Sequence, residues 1–298
     1  MDSSDQQKQV KEVFEKHADK WFSKAQNKSN NSINIIQQRN QFVEYIALKF
    51  LKKKDSILDV GCGTRDLVFS LLEKEFEAFG IDFAKSMIDK AKIEAEKNNH
   101  SQERFTTISF FDFKPKTKLN MISANGFIEY ISQGELTEFL NKTHSYLEKN
   151  GLLVFSSRNR LFNIFSFNNY TNAEIKANCL NHLIDECIMF NNNSSFDELL
   201  KNKFESKINK NLESHEVTGD IKVATRYQYT PFQLISQLQK KGFEIIDLKP
   251  LHIHLFTTGA RKNLLEIHDT MSNLVQEQKN ILQLIPQSSS FMLAARKQ

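Results

Sequence analysis

A chain of 298 residues, 40% hydrophobic and 26% charged, is long enough for one large buried core with a substantial insertion, and its composition is not low-complexity. A net charge of +4 is too dilute for the concentrated basic stripe that phosphate backbones require, so no nucleic-acid partner is expected. There is no apolar run near the ~18 residues of a membrane span, no leader-like start, and the three cysteines lack metal-ligand spacing; a cytoplasmic protein without integral membrane segment or metal is expected.

Along the chain, Val10, Val13, Phe14, His17 and Trp21 share one helical face over 5–24, and Ile35, Ile36, Phe42, Val43, Ile46 and Phe50 share another over about 33–51. Lys52-Lys53-Lys54 then reads as a solvated helix end. Residues 56–60 form a first strand, and a second ends at Asp82. Met87, Ile88, Ala91 and Ala95 keep helical spacing, 105–110 is a third strand and 119–124 a fourth. Ser132-Gln133-Gly134-Glu135 is a capping box opening a helix that Gly151 stops, and 152–156 is strand five.

Residues 159–229 break this rhythm with Phe162, Phe165, Phe167 and Tyr170, helical patches and the polar run Asn191 to Ser195, and read as an insertion. Thr230-Pro231-Phe232-Gln233 restarts the core with a capped helix. Residues 242–248 give strand six, 262–284 are helical, and 290–295 form the last strand. The organisation is thus N-terminal helices over a cleft (1–55), an α/β core (56–158), a helical insertion or lid (159–229) and the remainder of the core (230–298). Alternating strand and helix implies a doubly wound α/β sandwich with ligands at the carboxyl ends of its strands.

Ile57-Leu58-Asp59-Val60-Gly61-Cys62-Gly63-Thr64, running on to Gly80-Ile81-Asp82, is a strand, a glycine turn, a helix and a strand ending in an acid 21 residues after Gly61. Such a unit grips an adenosine cofactor: glycines let the backbone approach the ligand, and the acid holds both ribose hydroxyls. The dinucleotide version needs a third glycine beside the pyrophosphate, and that position is Asp66. With Asp59 adding a second acid, the loop suits a cationic ligand such as S-adenosylmethionine, with its sulfonium and ammonium groups. Cys62 inside the turn reads as a packing residue.

Asp59 to Thr64 with Asp82 resembles the first two motifs of the class I S-adenosylmethionine-dependent methyltransferases. Ser109-Phe110-Phe111-Asp112-Phe113 is similar to their third strand end, and Ser123 to Tyr130 to the segment after their fourth strand. The resemblance runs in order over 57–158. It implies a mostly parallel seven-stranded Rossmann-like sheet whose last strand lies antiparallel beside the sixth, here with the helical insertion after strand five. It also implies that Asp82 holds the ribose, that Asp59, Gly61 and Gly63 line the methionine side, and that Phe83, Asp112 and Phe113 frame the adenine, with Asn125 a further cofactor contact. Asp112 has a second reading as a loop acid capping a turn. Arg39 is either the partner of the cofactor carboxylate or a surface arginine of an amphipathic helix, and Trp21 either closes over the ligand or packs in the core. Arg65 replaces the last glycine of the family's Gly-x-Gly-x-Gly; helical dihedrals and a side chain in solvent make that harmless, and otherwise cofactor binding weakens.

The implied chemistry is displacement at an activated methyl group, where positioning supplies much of the acceleration and a hydroxyl acceptor also benefits from a base. His252 and His254 point to one side if extended, and either serves as that base if it faces the cleft; a structural pair is the other reading. Glu129 and Tyr130 stand where many relatives carry an acceptor-side Glu-His pair. Arg158, with Asn159 and Arg160, offers charge to an anionic acceptor or is a solvated basic turn. The expected function is methyl transfer to a hydroxyl or carboxyl oxygen of a saccharide, lipid-like or secondary-metabolite acceptor. The alternatives are an NAD-dependent oxidoreductase and a non-catalytic S-adenosylmethionine-binding or scaffold protein.

Overall fold

A computed structural model describes residues 3–26, 33–63, 65–193, 195–201, 204–208, 212–214, 226–278 and 281–298. Two helices precede the sheet. Helix α1 (Ser3–Gln26) bends at His17, and α2 (Ile35–Phe50) starts at Asn34, whose side chain accepts from the Gln37 amide, and buries Phe42, Val43, Ile46 and Ala47. Strand and helix then alternate through β1 (Ser56–Val60), α3 (Asp66–Glu73), β2 (Glu77–Asp82), α4 (Lys85–Lys97), β3 (Phe105–Thr107), β4 (Leu119–Ala124), α5 (Gln133–Tyr146) and β5 (Leu147–Arg158). The segment 159–229, read above as an insertion, carries α6 (Asn163–Ser166), α7 (Asn169–Lys176), α8 (Leu180–Asn192), α9 (Phe196–Lys201) and a ribbon of β6 (Leu212–Ser214) with β7 (Arg226–Gln228). The core resumes with α10 (Pro231–Lys240), β8 (Phe243–Ile253), α11 (Thr258–Arg261), α12 (Leu265–Gln276) and β9 (Ser288–Lys297).

The seven-stranded sheet has the order β3-β2-β1-β4-β5-β9-β8, parallel except for β9, which is antiparallel to both β5 and β8. Its central strands are nearly continuous apolar runs because both faces are covered. Successive side chains point to opposite faces, so Leu58, Ile122, Leu153 and Leu293 join the core that includes Phe139 and Phe232, while Ile57, Met121, Val154 and Ala294 join the one that includes Ile46 and Val68. The capping boxes at Ser132 and Thr230 form as their sequences predict.

Several predicted boundaries shift. The third strand stops at Thr107, and the chain then turns, with the Asp112 amide donating to the Ser109 carbonyl (3.1 Å). Gly151 lies inside β5 rather than ending a helix. Asn150 takes the left-handed turn position (φ 64°), and a Cβ on Gly151 would meet the Glu148 carbonyl oxygen at 2.9 Å. The sixth core strand runs on to Ile253, and 262–284 divides into α12 and a 3-10 turn.

The insertion leaves and re-enters at adjacent points. Asn159 bridges Tyr229 in parallel fashion, the Arg160 amide donating to the Tyr229 carbonyl (3.0 Å) and the Tyr229 amide to that of Arg158 (3.2 Å). Its fastening is a fully buried bidentate ion pair, Arg160 Nε and Nη2 each 2.8 Å from a Glu174 carboxylate oxygen, with Asn163 donating to the same carboxylate. Among the described residues no helix is long and apolar enough to cross a membrane.

Candidate active site

The glycine turn is tied to the end of β2. Gly61 and Gly63 have positive φ (69° and 54°), the Gly61 and Cys62 amides both donate to the Ile81 carbonyl, and the Gly63 amide donates to Asp82 Oδ2 (3.1 Å). Asp82 Oδ1 accepts from the Ala84 amide (2.8 Å), which fixes the carboxylate beside the turn. Burial pushes the Asp82 carboxyl up to about 6 despite these bonds. Burial likewise raises Asp59 to about 7; Ser123 Oγ, donating at 2.6 Å, opposes the rise, and the charge of Asp82 adds to it. Cys62 is a packing residue in the structure, its sulfur 2.7 Å from where a Cβ on Gly80 would stand.

Arg65 departs from both conditions set for a harmless substitution. Its backbone is left-handed (φ 100°, ψ −19°), the conformation that a glycine would enter without strain. Its side chain is 12% exposed, bonded to Glu94 (2.9 Å) and laid over the Phe69 ring (4.5 Å). The ion pair and the stacking contact hold a strained residue in place.

Beyond the turn a cleft opens at the carboxyl ends of β1, β2 and β4. It is lined by Asp59, Gly61, Gly63, Asp82 and Phe83 and by Arg39, Asn125, Gly126, Glu129 and Tyr130. Helix α1 lies across it through Gln7, Val10 and Phe14. Gln6 donates to the Tyr130 carbonyl (3.0 Å), Phe14 meets the Tyr130 ring edge-on (5.3 Å), and Glu15 accepts from the Lys85 and Ser86 amides that open α4. Both amide atoms of Asn125 are buried and lack a hydrogen-bond partner. The side chain of Trp21 is outside the described residues.

Asp112 and Phe113 do not reach this cleft. The early end of β3 brings Ser109, Phe110 and Phe111 to the wall instead; Asp112 is exposed in the turn, and Phe113 packs against Tyr146. Position along the motif therefore overshot the wall by about one turn.

A basic cluster adjoins Glu129 and Tyr130. Arg226 Nη2 bonds Glu129 Oε1 (3.3 Å) and accompanies it with a bond to the Tyr130 hydroxyl (2.8 Å), all three side chains being buried. Burial favours protonation of Glu129, but Arg226, Arg39 and Arg158 together hold its carboxyl below the usual range. Arg158 stands over the Tyr170 ring (5.8 Å). Arg39 has a buried Nε without a partner, and Gly126 makes room for its guanidinium, since a Cβ there would come within 2.7 Å of it. Of the predicted basic turn, Asn159 and Arg160 serve the fold: Asn159 donates to the Ile285 and Ser288 carbonyls, and Arg160 is committed to Glu174. Arg226 escaped the sequence reading because no local pattern marks it; it arrives from the insertion's short ribbon.

His252 and His254 do not line the cleft. Their rings lie side by side (4.2 Å), but in a buried aromatic cluster with Phe162 and His268, where His252 takes φ 50° and its Nδ1 sits 3.1 Å from Ser289 Oγ. Burial drives His254 down to about 3 and His252 well below its ordinary value, leaving both neutral and weakly basic. Among the described residues no group of three or more His, Cys, Asp or Glu has the geometry to hold a metal ion.

A methyltransferase-domain family model matches residues 51–218, more than half of the chain. The chain belongs to the methyltransferase domain family. Its class is the S-adenosylmethionine-dependent class I, whose cofactor is S-adenosylmethionine. Curated relatives within this similarity are a carboxy-S-adenosyl-L-methionine synthase of Campylobacter jejuni, 27% identical over 132 residues (43% of this chain, 55% of that protein), and a ubiquinone biosynthesis O-methyltransferase of Bartonella tribocorum, 31% identical over 111 residues (37% and 44%). The chain thus spans about half the length of the curated relatives it matches. The fold of this methyltransferase-family chain is also that of the magnesium protoporphyrin IX methyltransferase of Synechocystis solved with bound S-adenosylhomocysteine (TM-score 0.57, 12% identity, 98% of this chain and 100% of that one).

Proposed function

We propose that this chain is an S-adenosylmethionine-dependent methyltransferase for a small-molecule acceptor. The observation that carries the reading is one cleft lined by two buried carboxylates, Asp59 and Asp82, beside the glycine turn, and by the Arg39 guanidinium against Gly126 and near Glu129. That arrangement matches a nucleoside whose tail carries both positive and negative groups. Asp82 is assigned to the ribose hydroxyls, Asp59 and the Gly61–Gly63 backbone to the methionine side, and the buried, unpartnered amide of Asn125 to a polar group of that tail. Arg39 is assigned to the cofactor carboxylate. Phe83, Ser109, Phe110 and Phe111 replace the predicted trio of Phe83, Asp112 and Phe113 as the adenine surround.

When bound, the cofactor supplies a sulfonium-activated methyl group: the acceptor's lone pair forms the new bond to carbon, the carbon–sulfur pair returns to sulfur, and a protonated acceptor gives its proton to solvent or a nearby base. The chain's own contribution is to orient both partners under α1 and to exclude water, with Glu129, Tyr130 and Arg158 assigned to the acceptor side. Because His252 and His254 lie outside the cleft, no role as base is assigned to them. The oxidoreductase alternative is disfavoured by Asp66, which lines the cleft where a pyrophosphate would need a glycine. Calorimetry with S-adenosylhomocysteine and with NADH tests the reading. Saturable heat with the first and none with the second is expected; the reverse, or silence with both, overturns it.

A further inference from the structure

Helix α12 is inside out. Its buried residues, His268, Asp269, Ser272 and Gln276, are all polar, while Leu264 at its cap and Leu265, Ile267, Met271 and Leu274 are each between 41% and 58% exposed. The inner face has a reason. Strand β8 is the edge of the sheet, and Ser272 Oγ and Gln276 Nε2 donate to its Ile253 and Pro250 carbonyls, both at 2.7 Å, so the helix supplies hydrogen bonds that an open sheet edge would leave to water. A surface helix otherwise turns its polar side outwards. Packing within the chain does not account for the outer face of α12, whose five apolar side chains stay about half exposed, and a contiguous patch of that kind marks an interaction surface.

We infer that this face joins a second copy of the chain, α12 packing antiparallel on α12 across a two-fold axis. The stripe Leu264, Ile267, Met271, Leu274 steps by three, four and three residues, the seam spacing of paired helices. That series reads the same from either end. A two-fold therefore sets Leu264 of one copy level with Leu274 of the other, and Ile267 level with Met271. The flanking charges agree. Lys262 precedes the stripe and Glu277 follows it; both are exposed, and among the described residues neither is in an ion pair. Antiparallel pairing brings Lys262 of each copy within about one residue, ~1.5 Å of helix rise, of the level of Glu277 of the other, whereas parallel pairing would set like charges together. Glu266 falls level with Ser272 rather than with another acid. An anionic lipid surface fits less well, because the exposed Glu266 and Glu277 would be pressed against it. A stripe about 15 Å long covers less than the ~800 Å² per partner of a stable interface, so the pairing belongs to the weak, concentration-dependent class.

The test is sedimentation velocity of the full chain from about 1 to about 200 µM, over which the weight-average mass is expected to rise from that of a monomer towards twice that value. Met271→Glu sets an acid on the seam and should hold the chain monomeric throughout. Because that site is already exposed, the melting temperature of the dilute variant should stay within about 2 °C of the unchanged chain, which separates loss of pairing from loss of fold. Lys262→Glu should raise the dimer Kd about threefold or more, and adding Glu277→Lys to it should recover about half of that loss or more. A chain that stays monomeric to about 200 µM, a dimer that Met271→Glu leaves intact, or no recovery on the paired charge reversal overturns the inference. Sedimentation of a monomeric chain with vesicles of phosphatidylcholine and phosphatidylserine, lost in Met271→Glu, would assign the face to lipid and overturn it equally.

Discussion

The acid-bearing glycine turn and the basic cluster beside Glu129 are built by opposite means. The acidic end comes from one contiguous unit, β1 to β2, whose glycine turn, Asp59 and Asp82 are held by backbone amides and by one serine. The basic end is assembled from four distant segments: Arg39 on α2, Glu129 and Tyr130 after β4, Arg158 closing β5 and Arg226 in the insertion's ribbon. The first can be specified by local sequence alone; the second exists only when the whole chain has folded. The two parts are thereby free to vary separately.

The most severe way to break the basic end is Arg226→Ala. It removes the hydrogen bond to Glu129 while Arg39 and Arg158 still act on that carboxylate, so a loss of about 1–3 kcal/mol in denaturant unfolding is expected; no change would mean the cluster is solvated. At the acidic end the larger effect is on binding. Asp82→Asn sets an NH2 group against the Gly63 or the Ala84 amide, so the ligand-free fold should lose about 1–2 kcal/mol in thermal unfolding at pH 7. Affinity for S-adenosylhomocysteine should fall about 100-fold as charge-assisted bonds to the ribose are lost. Retained affinity would remove Asp82 from the site.

The contrast sharpens with pH. Asp59 and Asp82 keep their protons to about 7 and about 6 in the folded chain, against about 4 in an unfolded one. Between those values the folded chain binds more protons than the unfolded chain, so the ligand-free fold loses stability as pH climbs from about 4 to about 7. A sulfonium ligand needs the ionised carboxylates. Its affinity should therefore tighten about tenfold or more from pH 5.5 to 7.5, whereas the arginine end does not titrate in that window; a flat profile by calorimetry would contradict the assignment. The smallest effect is expected for Arg65→Gly, where relief of a left-handed backbone, about 1–2 kcal/mol, opposes loss of the Glu94 pair and a more flexible unfolded chain. The net melting shift should be within about 1 kcal/mol, measured by thermal unfolding.

The sheet was readable because buried parallel strands write themselves as apolar runs, and the helices because Ser132 and Thr230 carry complete capping boxes. The misread elements share a cause. Asp112 and Phe113 were placed by counting along a motif, but β3 ends early and the chain turns before them. His252 and His254 were placed by strand alternation, and the long β8 carries them into a separate aromatic cluster, away from the cleft. Arg160 reads as an acceptor contact or as part of a solvated turn and is neither, because its partner Glu174 lies on a helix whose position the sequence does not announce. Arg226 had no local signature at all.

The bridge between Asn159 and Tyr229 bears on how this chain can change. Because the insertion's two stems are already hydrogen-bonded neighbours, loop length enters the folding equilibrium only logarithmically, and a tight hairpin could close the same gap. Whole replacement segments can therefore be transplanted at that doorway without re-registering β5 or α10. The incoming segment would still have to bring a cation to Glu129, which Arg226 now pairs.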